Sequence, residues 1–381
     1  MPEACDVAVV GGGPVGLYLG LLLARADVDV RVLERRESVS THSRAVGLHP
    51  PALEAFDDLD GLGQVMADAG VRIRRGVVRS PSGTLGTLSF AGTSATHPYV
   101  LALPQQQTET LLERALGQSA PGVLRRGVSV TGLQQLSSHV ELSVQGVSAV
   151  PATLRAQYVV AADGRRSVIR EAIGLPFPGR TYPQTYVMGD FPETSAYGPD
   201  AVITLGPDGV VESFPLPGGK RRWVAQTPAL LAHATPHQLA QVVAQRTSLH
   251  LPAADATMLS AFEVRRHLAP RYRADRVMLV GDAAHEVSPI GGQGMNLGWL
   301  DAQDLAPRLV TALRGDLVPL IGYGESRRPS ALRAARQAEA NMWLGRPLRG
   351  AEGRVREYAM SRLLASPASA LLARAFTMRG L

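Results

Sequence analysis

Three glycines in a strand-to-helix turn constrain this chain more than any other feature. Val7-Ala8-Val9-Val10 is a short apolar run suited to a buried parallel strand, and Gly11-Gly12-Gly13-Pro14-Val15-Gly16 follows it directly. Gly11, Gly13 and Gly16 fit the spacing G-x-G-x-x-G. In that pattern the first glycine permits a tight turn and the second lets backbone approach a pyrophosphate. The third lets the next helix pack close on the strand. Leu17 to Arg25 is apolar nearly all round, which predicts a buried helix. The start of that helix, at Pro14 and Val15, would offer unpaired N–H groups and a positive dipole end to phosphates. A second strand, Val28 to Leu33, ends at Glu34, with Arg35 beside it. A carboxylate about 20 residues beyond the glycines suits a pair of ribose hydroxyls. The unit is a dinucleotide-binding βαβ, and alone it does not separate FAD from NAD.

Two further strand ends bear on the same ligand. Val159-Val160-Ala161-Ala162 runs into Asp163-Gly164-Arg165-Arg166-Ser167. Val277-Met278-Leu279-Val280 runs into Gly281-Asp282-Ala283-Ala284-His285, then Pro289 and Gly291-Gly292-Gln293-Gly294-Met295-Asn296. Ligands of open α/β sheets bind outside such strand ends. Gly291, Gly292 and Gly294 allow backbone N–H groups to come close to a planar ligand. Residues 294–305 read as a helix whose N-terminus favours negative charge. Each aspartate also has a plainer reading: Asp282 as a helix N-cap, Asp163 in an Asp-Gly surface turn.

In this order and at these distances the three stretches resemble the single-component FAD-dependent aromatic hydroxylases, the p-hydroxybenzoate hydroxylase family of class A flavoprotein monooxygenases. The resemblance covers roughly residues 5–330. It implies that Gly281-Asp282 holds the ribityl chain of FAD and that Pro289 to Asn296 runs beside the isoalloxazine ring. Pro289, Gly291 and Gly292 would then serve catalysis, and Gly292, Gly294, Met295 and Asn296 would hold the ring. Asp163 would stand near the pyrophosphate, with Arg170 completing its motif. Arg44, in Ser43-Arg44-Ala45-Val46-Gly47-Leu48, matches an arginine near the FAD phosphates, where a guanidinium fork is apt. Gln105 matches a glutamine that touches the ribityl region, although many relatives carry a basic residue where this chain has Gln107.

The reaction so implied is hydroxylation. NADPH or NADH reduces FAD, O2 adds to give a flavin C4a-hydroperoxide, and one oxygen passes to an electron-rich aromatic or polycyclic, polyketide-like ring. The other oxygen leaves as water. The cofactor carries the chemistry and the protein supplies position, dryness and electrostatics. No second G-x-G-x-x-G follows a strand, so the reductant would bind transiently over the same flavin. His285 is read as structural, packed behind the flavin loop. Tyr182, Tyr186, Tyr197, His97 and Trp223 are aromatic candidates near a substrate, each more readily a sheet or core residue. A reductase or dehydrogenase of the same fold, acting on isoprenoid or polyketide double bonds, is the alternative. The string Pro289 to Asn296 favours the hydroxylase.

The expected architecture is α/β: a Rossmann-type FAD-binding domain with an inserted antiparallel sheet. Residues 1–71, 101–179 and 267–330 form the first, and 72–100 with 180–266 form a substrate-binding roof. Within the roof, Ala201 to Leu205, Val210 to Phe214 and Arg222 to Gln226 read as strands joined by Pro/Gly turns. Residues 331–381 form a helical segment whose Arg354, Arg362 and Arg374 read as a solvated face. The thioredoxin-like C-terminal domain of longer relatives is not expected within these 381 residues.

Charge excludes little by itself. The net charge is +6 and the pI 9.8, yet Lys220 is the only lysine and the arginines are scattered. With no basic block among aromatics, nucleic acid is not an expected partner. Cys5 stands alone, which rules out intramolecular disulfides and Cys/His metal clusters. The longest apolar stretch, about residues 15–24, is too short to span a bilayer. A cytoplasmic monomer or homodimer is expected, with a small aromatic molecule and O2 as partners and no resident metal.

Overall fold

The computed structural model describes residues 3–39, 45–146 and 151–380. Strand Glu3–Val10 lies at the heart of the first sheet, with Val30–Glu34 parallel on one side and Pro151–Ala161 parallel on the other. Leu124–Arg126 extends the sheet beyond the former, and Val277–Leu279 beyond the latter. The register sets Val10 against Leu33 and Ala161, and Ala161 against Leu279. The three motif loops therefore leave the sheet at one edge. Helix Pro14–Arg25 is apolar all round because it is sandwiched: it packs between helices Gln105–Ser119 and Gln293–Leu313 as well as on the sheet. Trp299, fully buried on the last of these, donates its ring N–H to the Pro14 carbonyl at 3.0 Å.

A second sheet of eight strands faces this edge. Its order is His285–Glu286, Met258–Leu268, Gly179–Pro192, Lys220–Thr227, Gly209–Leu216, Ala201–Gly206, Arg75–Ser80, Gly83–Ser89. The turn signals at 207–209 and 217–219 do join strands, as expected. Side chains alternate between two environments. Val187, Val211, Trp223 and Ala225 pack outward with Leu239 and Val243 of helix Pro236–Thr247. Tyr186, Met188, Val210 and Val224 face inward, toward the first sheet.

Two features depart from a purely antiparallel insert. Ala201–Gly206 pairs parallel with Arg75–Ser80, since these strands come from distant segments and need no hairpin between them. His285–Glu286 adds an edge strand from the third motif itself, with Glu286 opposite His267, so that motif is stitched into the roof.

Helices Tyr323–Leu344, Gly350–Leu364 and Ala368–Phe376 end the chain. Arg354, Arg362 and Arg374 are exposed, as expected of a solvated face. The opposite face is not solvated: Met360 and Leu364 join the inward cluster of the roof. Arg356 is buried and donates to the carbonyls of Leu344, Arg346 and Gly206 at 3.1, 2.6 and 3.3 Å. Among the described residues no helix is long and apolar enough to cross a membrane, and no group of side chains is arranged to hold a metal. Burial pushes the Cys5 thiol up to about 12, so it stays protonated.

The sharpest packing constraint is at Gly16, where an added Cβ would stand 1.8 Å from the Gly11 carbonyl oxygen. Gly16→Ala is expected to destabilise the apoprotein by about 3 kcal/mol or more, because neither backbone can yield. Gly117→Ala, whose Cβ would meet nothing within 4 Å, is the control and leaves Tm unchanged or higher. Equal thermal unfolding of the two variants would remove the close approach as a determinant of the fold.

Candidate functional site

A cavity of about 1010 Å³ lies between the two sheets. At one end its wall is made by Gly11, Gly13, Pro14, Val15, Glu34 and Arg35, together with Gln105, Asp163 and Asp282. Pro289, Gly291, Gly292, Gly294 and Met295 continue it, and the inward face of the roof closes it. Of the residues expected at a cofactor, Gly16, Gly281 and Asn296 stand behind this wall, and Arg44 lies outside the described residues.

The glycine end has room of a defined shape. Gly11 turns with φ +109°, and its missing Cβ leaves space for the Ala162 carbonyl. Gly13 has an ordinary φ of −78°, and a Cβ there would meet nothing within 4 Å. Its absence leaves the cavity open at the start of helix Pro14–Arg25. Glu34 is buried; Oε2 accepts the Gly12 N–H at 2.8 Å, and Oε1 accepts the backbone and side-chain N–H of Arg36, both at 2.9 Å. Burial pushes its pKa up, but the Arg36 donors outweigh it and hold the carboxylate below its ordinary value. Gln105 donates to Glu109 at 2.7 Å, and burial raises the pKa of Glu109, which also lies on the wall. Arg36 and Glu109 carry no motif signal; only their contacts with Glu34 and Gln105 reveal them.

The second and third motifs meet beside this end. Asp163 accepts the Ile169 N–H through Oδ2 at 3.3 Å, while Oδ1 is buried without a partner among the described residues. Burial raises its pKa. Asp282 is exposed on the cavity wall and accepts no hydrogen bond from any described residue. Protein encloses its other sides, and desolvation raises its pKa. Arg170 ties the two motifs together, donating to the Ala283 and Arg165 carbonyls at 2.9 Å each, with its guanidinium 3.8 Å from the Phe177 ring centre.

The glycine loop before helix Gln293–Leu313 is held from behind. Gly291 and Gly292 have φ of +92° and +68°, the left-handed region that favours glycine. Asn296 Nδ2 donates to the Gly47 and Gly292 carbonyls at 2.8 Å each, and Oδ1 accepts the His49 N–H at 2.8 Å. His49 Nε2–H donates to the Gly291 carbonyl at 3.1 Å. Asn296 is therefore spent on backbone, and His49, which the sequence did not single out, stands on the wall. Burial drives the His49 pKa down to about 4, so the ring is neutral. His285 lies wholly buried behind the loop, as expected. Its Nε2 is 2.6 Å from Asp301, which also takes the Gly281 N–H at 3.1 Å and Arg327 Nε at 2.9 Å. Burial works against the Asp301 charge, but His285 and Arg327 outweigh it and lower its pKa.

On the roof side, Tyr186 is the aromatic candidate that reaches the wall, stacked on Phe262 with centroids 5.4 Å apart. Tyr182 bonds Glu339, Tyr197 packs on Trp223 on the outer face, and His97 sits between Asp57 and Tyr99 at 2.7 and 2.8 Å. Asn341, Met360 and Phe376 of the C-terminal helices also line the cavity, and so does Glu212 of strand Gly209–Leu216. Their sequence neighbourhood carries no signal for this, because it depends on which helix face turns inward.

Comparison with known proteins places this geometry. The family described as the FAD binding domain matches residues 4–338. A 12-dehydrotetracycline 5-monooxygenase/anhydrotetracycline 6-monooxygenase of Streptomyces rimosus is 34% identical over 358 residues, covering 88% of this chain and 69% of its own. An uncharacterised aromatic compound monooxygenase of Bacillus subtilis is 32% identical over 351 residues, covering 88% and 68%. The crystal structure of a p-nitrophenol 4-monooxygenase from Pseudomonas putida superposes with a TM-score of 0.87 at 28% identity, covering 99% of both chains.

Two outcomes follow from the site's geometry. Gly13→Ala is expected to leave apoprotein Tm unchanged, since its backbone suits alanine. FAD affinity should fall about tenfold or more, as the methyl blocks approach to the phosphates; an unchanged dissociation constant would free Gly13 from the site. His49 gives a pH dependence. Its folded pKa of about 4 lies below the ordinary 6.5, so the unfolded chain binds the extra proton between them. Its stabilising contribution, up to about 3 kcal/mol, is complete above pH 6.5 and is lost as pH falls toward 4. His49→Leu should flatten that limb of the stability curve in denaturant titrations, and an unaltered limb would count against it.

Proposed function

The chain belongs to the FAD-binding class A flavoprotein aromatic monooxygenases, and on that premise we propose that it hydroxylates a polycyclic, polyketide-like aromatic substrate, using NADPH or NADH with O2. It is an FAD-dependent monooxygenase. The observation that carries the finer reading is the continuity of the cavity. Its polar end, built from the glycine motif and the Asp163 and Asp282 strand ends, opens into a chamber lined by Met188, Ile203, Val210, Val224 and Phe376. Relatives named for rifampicin and anhydrotetracycline support a large ring system as substrate.

The residues present fit FAD. A gap in place of a Gly13 side chain, and Asp163 Oδ1 and Asp282, which lack partners among the described residues, are features a nucleotide with a ribityl chain would satisfy. Gly13 and the helix start at Pro14 would take the pyrophosphate, Glu34 a ribose, and Asp282 the ribityl hydroxyls. Bound there, FAD supplies the activation of O2 and the oxygen-transferring chemistry.

The chain's own part is arrangement. The loop from Pro289 to Met295 would flank the flavin ring, and the N–H groups at the start of helix Gln293–Leu313 favour negative charge beside it. His49 and Asn296 keep that loop in its left-handed turns without adding a charge. Tyr186, Met188 and Phe376 exclude water from the chamber between loop and roof.

The test is oxygen incorporation. FAD-loaded protein given NADPH or NADH and 18O2, with a panel of phenols and tetracycline-type polyketides, should release a product carrying one 18O. Reductant oxidation should rise when that substrate is present. Flavin reduced by NAD(P)H without 18O entering any panel member, and without substrate stimulation, would overturn the proposed substrate class.

A further inference from the structure

One carboxyl stands among apolar side chains in the middle of the roof. Along strand Gly209–Leu216, Val211 packs outward, while Val210, Glu212 and Phe214 line the cavity. The strand register sets Ile203 on one side of Glu212 and Val224 on the other. Val78 lies beyond Ile203, and Met188 beyond Val224. All these residues line the cavity, so the row Val78, Ile203, Glu212, Val224, Met188 is apolar at every place but one. Among the described residues, the Glu212 carboxyl has no hydrogen bond and no ion pair. Arg222 on the adjacent strand is held by Asp190, with Nε and Nη2 at 2.6 and 2.8 Å from its two oxygens.

An unpaired carboxyl in an apolar row costs stability, and nothing in the sheet compensates for it. Among the described residues no group satisfies it, and a ligand held in the cavity would. We propose that Glu212 is the specificity-determining anchor of the substrate chamber, binding a hydroxyl on an aromatic ring that apolar contacts otherwise hold. This rests on the monooxygenase reading, which places an aromatic substrate between roof and flavin loop. Burial pushes the Glu212 pKa up to about 7. Near neutral pH the side chain can accept the hydroxyl's proton in a hydrogen bond as a carboxylate, or donate one as an acid. A ring without the hydroxyl leaves the carboxyl unsatisfied, which is the basis of discrimination.

Binding of 2-naphthol and 2-methylnaphthalene to FAD-loaded protein tests this without turnover. The two share a ring frame and differ by hydroxyl against methyl, and perturbation of the flavin spectrum reports each. The wild type should bind 2-naphthol at least about tenfold more tightly, although the methyl compound is the more hydrophobic. Glu212→Leu should abolish the preference, keep 2-methylnaphthalene binding and raise Tm, because the apolar row becomes complete. Glu212→Met, closer to glutamate in shape, repeats the test, and Glu212→Gln should keep the preference because its amide both donates and accepts. A wild type without the preference, including one that fails to bind 2-naphthol, overturns the proposal. So does its persistence in Glu212→Leu or Glu212→Met. Naphthol preference lost in these variants but no 18O incorporation in the wild type would sink the hydroxylase reading alone.

Discussion

A Cβ on Gly16 would lie 1.8 Å from the Gly11 carbonyl oxygen, and one on Gly11 would lie 2.3 Å from that of Ala162. At the same edge, a Cβ on Gly298 would lie 2.5 Å from Val15 Cγ2. These approaches bring two strand ends and the first helix together backbone to backbone, and seat the Val15 side chain against Gly298 of the second helix. Without them, helices Pro14–Arg25 and Gln293–Leu313 could not start beside the same cavity, nor could Asp163 and Asp282 share its wall. Strand pairing brings the motif loops, far apart in sequence, to one sheet edge, and these contacts let the helices close in beside it.

Polar groups are treated differently on the two sides of the wall. Behind it, Asp301 takes His285, Arg327 and the Gly281 N–H, and Asn296 uses both its oxygen and its nitrogen on backbone. Buried charges are tolerated when paired in this way, and they fix the loop that follows Pro289. On the wall, Asp282 and Glu212 lack partners among the described residues, as does one oxygen of Asp163. The contrast is one of degree: Asp301 and Asn296 are held by protein groups, whereas the wall carboxyls face the cavity. Neutral His49 belongs to the supports, although its ring reaches the cavity.

The C-terminal helices extend the same division. Arg354, Arg362 and Arg374 meet water, whereas Arg356 is folded under onto three carbonyls and Met360 and Leu364 pack into the roof. A helix with arginines on more than one face reads as solvated from its composition. Which face is buried follows only from the sheet against which it docks.

The glycine-motif end of the cavity was legible in the amino-acid order, because its spacing is local. Gly11, Gly13, Gly16 and Glu34 are spaced by one strand–helix–strand unit, and Asp163 and Asp282 each follow an apolar run that must end a strand. The roof strands were legible too, from alternation and Pro/Gly turns. Tertiary structure decided the rest. Asn296 lies within a motif yet turns away from the cavity to hold Gly47. Glu212 sits in a strand where a glutamate would read as solvent-facing, and only pairing with Ile203 and Val224 puts it inside. The parallel pairing of Ala201–Gly206 with Arg75–Ser80 joins distant segments. A periodic pattern tells which residues share a face, and only the packing of that face against a second surface tells whether it meets water, core or ligand.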